Sequence, residues 1–227
     1  MVSVLDNRIT QPLAFTLVRQ RIVDILEAEL ENQIALALAE IPPADTTLYE
    51  MTVYQEKSNP WQLGMFPCIN VWYDTAAIDT SVASPTANQQ GEHFYNIDVY
   101  DSQPSELDPQ HAVIFGDTTA QIAVQNFAAV VYQILMADMN TKLQFPSRSN
   151  GVPIAFFSHR QIVEMISYRE TFGDNPVDNV AAFRLRLKTV HTELVPKLEG
   201  LDLEGFDFIL SRRDSTLETD IPIEINT

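Results

Sequence analysis

The sequence predicts an α+β fold, a mostly antiparallel sheet packed against two long helices. Two stretches, roughly residues 11–41 and 118–144, carry apolar residues at helical spacing. Shorter stretches between and after them alternate apolar with polar residues. The clearest is Phe183, Leu185 and Leu187 against Arg184, Arg186 and Lys188. The order is therefore helix, strands, helix, strands, and no stretch repeats at a fixed period.

The first helix is expected over about 11–41. Thr10 is its candidate N-cap and Pro12 falls in the first turn, where a missing N–H does little harm. Val18, Ile22, Ile25, Ile34, Leu38 and Ile41 mark one face, which Leu26 and Leu30 widen. That stripe either packs on a sheet or forms a groove for a partner helix. Pro42-Pro43 stops it. A short strand is expected at Leu48–Tyr54 and a longer one over 65–74, where Ile69, Val71 and Tyr73 alternate with Cys68, Asn70 and Trp72. Both faces of that strand are bulky, as in a strand covered on both sides. Residues 75–91 are small and polar and predict a long loop. The partner strand, 93–101, places Tyr95, Ile97 and Val99 on one face and Asn96 and Asp98 on the other.

After a connection holding Pro104 and Pro109, the second helix is expected over 118–144, with Asp117 as N-cap and Phe145-Pro146 as its stop. Its stripe is Val124, Ala128, Val131, Leu135 and Met139, widened by Phe127, Val130 and Ile134. Strands follow over 161–171 and around Phe183–Lys188, with another at Phe206–Leu210. The last stretch, Leu217–Thr227, alternates Ile221, Ile223 and Ile225. It reads either as an edge strand of its own sheet or as a strand added to a neighbour's. The simplest organisation is one domain over 1–227 with extended loops at about 75–91 and 144–160 and a C-terminal extension over about 211–227.

Composition narrows the function. The 227-residue chain carries a net charge of −17, which opposes nonspecific binding to a phosphate backbone and to anionic lipid. No apolar run reaches the length of a membrane span and no signal peptide is evident, so a soluble protein made inside the cell is expected. Cys68 is the only cysteine, which excludes an intrachain disulfide and a multi-cysteine metal site. His93, His111, His159 and His191 show no ligand spacing. There is no G-x-S-x-G, P-loop or G-x-G-x-x-G, and only seven glycines. Carboxylate pairs such as Asp98 with Asp101, or Glu164 with Glu170, either line a cleft or sit on a solvated strand face. No catalytic residue, cofactor or metal site is expected, and the chain is read as a non-enzyme.

The cations are unevenly placed: eight of the fourteen Lys and Arg lie between Lys142 and Lys197. Arg184, Arg186 and Lys188 form a cationic strand face on an otherwise acidic molecule. Such opposed patches suit head-to-tail contact between identical subunits. The alternative is a strand face neutralised by its own Asp and Glu neighbours.

The long N-terminal helix, the strand-loop-strand of Phe66–Asp74 and Glu92–Asp101, the helix Thr118–Leu143, and the segment Val180-Ala-Ala-Phe-Arg-Leu-Arg-Leu-Lys188 together resemble the tail terminator (tail completion) proteins of long-tailed bacteriophages. The resemblance covers about residues 11–210. It implies a homo-hexameric ring in the phage neck that ends the tail tube and joins tail to head. The implied partners are a tail tube or sheath protein and a head-closure or connector protein. DNA passes through the lumen without specific binding, and no membrane is involved. The implied location is the virion, after assembly in the host cytoplasm. On this reading Arg184, Arg186, Lys188, Ile221, Ile223 and Ile225 are subunit or tube contacts. Longer stretches at 75–91, 144–160 and 211–227 leave a head-closure or connector protein of the neck as an alternative. Outside that class stands a non-enzymatic protein-binding module.

Overall fold

The computed structural model describes residues 13–58, 66–79, 89–102, 106–107, 113–114, 116–145, 148–149, 152–153, 157–171 and 179–193. These lie within one compact unit, Pro12–Val195. Thr10, the strand at Phe206–Leu210, and Ile221, Ile223 and Ile225 fall outside the described residues.

The elements are α1 (Ala14–Ala39), β1 (Thr52–Gln55), β2 (Cys68–Ile78), β3 (Gln89–Ser102), β4 (Glu106–Leu107), β5 (Val113–Ile114), α2 (Gly116–Met136), β6 (Arg148–Ser149), β7 (Val152–Pro153), β8 (Phe157–Thr171) and β9 (Asn179–Glu193). Five of the strands form one sheet in the order β1-β2-β3-β9-β8. Two-residue strands pair as β4 with β5 and β6 with β7. The sheet is mixed, because β1 runs parallel to β2 while every other neighbour in it is antiparallel. The fold is thus α+β, as the sequence predicts, with one parallel pair that alternation alone does not specify.

The core follows the two periodicities. Val18, Ile22, Leu26 and Leu30 of α1 and Val124, Ala128, Val131 and Leu135 of α2 join Ile69, Val71, Tyr95, Ile97, Val99, Leu185 and Leu187 of the sheet in one buried cluster. Odd-numbered residues of β2, β3 and β9 therefore point at the helices, as a period of two requires. Tyr95 carries its hydroxyl into this core and donates to the Phe15 carbonyl at 3.1 Å. Arg19 of α1 and the Tyr73 backbone N–H both donate to Glu56 Oε1, at 2.6 and 2.9 Å, which fastens the helix to the β1–β2 edge.

Several expectations need correction. Within the α1 stripe, Leu38 is 59% exposed and Ile41 99% exposed, and after Leu30 only Ala37 is buried. The helix outruns the surface it packs on, a fact that spacing cannot report. The strand expected at Leu48–Tyr54 is shorter, and the expected loop at 75–91 yields its ends to β2 and β3, which extend to Ile78 and from Gln89. Gly91 sits inside this longer hairpin because a Cβ there would lie 3.0 Å from both the Ala77 carbonyl oxygen and Ile78 Cδ1. α2 begins at Gly116, which puts Asp117 in the helix and not at its cap. It ends at Met136, well before Phe145. Asn140, in a 3-10 turn over Asp138–Asn140, donates its side-chain N–H to the Ile134 carbonyl at 2.7 Å and satisfies a helix-end acceptor. Met139 consequently leaves the stripe and is exposed. The segment 144–160, expected as loop, holds β6, β7 and the start of β8.

Candidate functional site on the outer face of the sheet

The sheet face opposite the helices carries the polar residues that alternation places there. Asn70 and Trp72 come from β2, Asn96, Asp98 and Tyr100 from β3, and Arg184, Arg186 and Lys188 from β9. The register sets Asp98 directly across from both Asn70 and Arg184. Asp98 is only 1% exposed. Its carboxylate accepts from Arg184 Nε at 2.6 Å, Arg184 Nη2 at 2.9 Å, Trp72 Nε1 at 2.8 Å and the Tyr100 hydroxyl at 3.3 Å. A buried carboxylate is tolerated only when its charge and lone pairs are met in this way. The Arg184 guanidinium lies over the rings of Trp72 and Tyr168, at 5.1 and 5.4 Å from their centroids. The bond to Asp98 holds Arg184 even more firmly protonated than an ordinary arginine, against the opposing effect of burial.

The other two cations are matched as well. Arg186 Nη2 meets Asp74 at 2.8 Å, its Nη1 lies 3.7 Å from Glu164, and Lys188 Nζ meets Glu92 at 3.0 Å. Each cation of the β9 face is thus paired with a carboxylate of the same chain. That is the neutralised strand face weighed as the alternative to an open cationic patch. Asp98 and Asp101 are three residues apart on one strand and so project to opposite faces, whereas Glu164 faces Arg186.

Beside this cluster a cleft of about 320 Å³ is lined in part by Lys57, Asn70, Trp72, Asp98, Tyr100 and Arg184. Its wall is fixed by Asn70, whose side-chain amide accepts from the Lys57 N–H at 3.1 Å and donates to the Lys57 carbonyl at 2.9 Å. Trp72, Tyr100 and Arg184 on its walls all donate to Asp98, and Lys57 is exposed at its rim. Lower on the same face, Cys68 packs with Tyr100, Val180 and Ala182. Burial, with the nearby Asp101 charge, pushes its thiol up to about 12, so it is an unreactive core residue.

One juxtaposition was not legible from spacing. His93 of β3 and His191 of β9 stack at 3.6 Å between ring centroids, both buried. The Tyr73 hydroxyl lies 3.3 Å from His93 Nδ1, and the Thr189 hydroxyl 3.2 Å from His191 Nδ1. Burial lowers the His191 pKa from 6.5 to about 4. The neutral ring is therefore the folded form. Between those two values the unfolded chain binds a proton that the folded chain does not, so stability falls as pH falls through that window. The expected loss between pH 7 and pH 5 is on the order of 2 kcal/mol. Urea unfolding of wild type and His191→Phe at both values checks this: the variant, which keeps an aromatic ring against His93, should lose much less.

Among the described residues no group of three or more His, Cys, Asp or Glu is placed to hold a metal ion, and no helix is long and apolar enough to cross a membrane. His159 is exposed, and His111 lies outside the described residues. No protein-family model matches the chain, and no curated protein matches it.

Proposed function

We propose that this chain is a structural protein of a phage neck, a ring that terminates the tail tube and joins the tail to the head. The observation that carries the reading is the order α1, β2–β3 hairpin, α2, β8–β9 hairpin on a single sheet with helices over one face. This is the element order on which the resemblance to tail terminator proteins rests. The charge of −17 supports it: a negative lumen repels phosphates and lets DNA slide without sticking. On the outer face Arg184, Arg186 and Lys188 are each paired with a carboxylate of the same chain.

Negative-stain microscopy of the protein alone and mixed with isolated phage tails tests the reading. Rings with six-fold symmetry, or added density at the head-proximal tail end, support it. Density on the head-side connector in place of the tail end would move the protein to head closure. A chain that decorates neither belongs to the binding-module class, for which the cleft beside Trp72 is the place to look.

A further inference from the structure

The cleft beside Trp72 is bordered by a segment held in a costly conformation. Glu56 has a φ of 51°, a region that a residue with a side chain occupies only when its surroundings hold it there. Its N–H donates to the Val71 carbonyl at 3.0 Å, and its carboxylate accepts from Arg19 and from the Tyr73 N–H. The bend follows the end of β1 and leads to Lys57, whose backbone N–H and carbonyl are both taken by the buried Asn70 side chain. The backbone of residue 57 is thereby fixed beside the cleft. Its ammonium lies 5.9 Å from the Tyr54 ring centroid and makes no ion pair among the described residues.

The hydrogen-bonding capacity left on the walls is chiefly that of donors. Asp98 accepts from Arg184, Trp72 and Tyr100, and Asn70 Oδ1 accepts from the Lys57 N–H. Arg184 gives Nε and Nη2 to Asp98; with 29% of the side chain exposed, its Nη1 makes no hydrogen bond among the described residues. Glu56 is balanced by Arg19 at 2.6 Å and Asp98 by Arg184, so Lys57 leaves the cleft with one positive charge on a chain of net charge −17. One spare cation beside spare donors suits a monoanion. A phosphate, with nearly two charges, and any polyanion meet the repulsion of the rest of the chain. The volume of about 320 Å³ stands at the small end of the roughly 300–1,000 Å³ of ligand sites. Trp72 and Tyr100 add ring surface to its wall.

We infer that this cleft binds a small aromatic carboxylate, its charge taken by the Lys57 ammonium and Arg184 Nη1 and its ring by Trp72. The site is independent of the neck-ring reading, since it needs neither a second copy nor a phage component.

Isothermal titration calorimetry of the full chain with naphthalene-2-carboxylate tests it. Wild type should bind one equivalent per chain, roughly tenfold or more tighter than it binds naphthalene-2-carboxamide, because the amide lacks the hydrogen-bonded charge. Inorganic phosphate should not displace the carboxylate. Lys57→Met should weaken the carboxylate roughly tenfold and leave both the carboxamide affinity and the melting temperature unchanged, and Lys57→Arg should keep the binding. Absence of binding at millimolar carboxylate would overturn the site. So would equal affinity for the carboxamide, which means an apolar slot, or displacement by phosphate, which means an anion site that does not read the ring. Wild-type affinity in Lys57→Met would place the binding elsewhere and overturn it too. A chain that binds the carboxylate and decorates no tail keeps the site and loses the neck assignment. Tail-end rings from a chain that binds no carboxylate do the reverse.

Discussion

Asp98→Ala should lower the unfolding free energy by about 3 kcal/mol, among the largest losses any polar residue of this chain can produce. The carboxylate is 1% exposed and is the shared acceptor for Arg184, Trp72 and Tyr100. Removing it leaves three donors without their shared acceptor, one of them a full charge. The cost sits at the low end of the range for broken buried pairs, because the Arg184 side chain keeps 29% of its surface in solvent. Arg184→Leu in the Asp98→Ala background should recover part of the loss, since no charge is then stranded. Denaturant midpoints of the two single variants and the double variant measure this coupling. Arg184→Glu is expected to be worse than either single change, as it sets a second carboxylate against the buried one. A soluble, fully stable Arg184→Glu monomer would contradict the fold-keeping role assigned to this pair.

Leu26→Ala should cost roughly 2–5 kcal/mol, whereas Leu38→Ala, on the same predicted stripe, should change stability by less than about 0.5 kcal/mol. Leu26 is fully buried in the cluster that α1 shares with α2 and the sheet, and Leu38 is mostly in solvent. Paired thermal or urea melts of the two variants separate the part of the helix that holds the domain from the part that does not. Equal losses would mean that the last turns of α1 are covered by something within the same chain.

The contrast marks where the sequence was readable. Spacing located α1, α2 and the strict alternation of β9, because each is set by the local period of apolar residues. It could not tell that Leu38 and Ile41 lie beyond the packed surface, since a helix face looks the same whether or not a sheet lies under it. It carried α2 too far because Asn140 takes over the Ile134 carbonyl, a choice made by one side chain. Alternation placed Asp98 and Arg184 on strand faces, but their meeting depends on a register between residues 86 apart in sequence. The same holds for His93 and His191, whose stack exists only once β3 and β9 are aligned. Trp72 was visible as a bulky residue on the strand face opposite Ile69 and Val71, whereas nothing in the spacing singled out Tyr100. Their part as donors to one carboxylate emerged only with the register.

Arg21 of α1 donates to the carbonyls of Leu143 and Gln144, at 3.1 and 3.3 Å, across more than 120 residues of chain. The central strand β3 has to wait longer still, for β9 at Asn179–Glu193. On a ribosome adding about 5–20 residues per second, α1 emerges on the order of 10 s before the strand that completes its platform. Until β1 and β2 arrive Val18, Ile22 and Leu26 have no sheet to cover them, and until β9 arrives they have only part of one. Between the synthesis of α1 and that of β9 the apolar face of the helix is therefore incompletely covered, and the yield of folded protein in a cell should rise at lower temperature or with a holdase that shields that helix until the last long strand arrives.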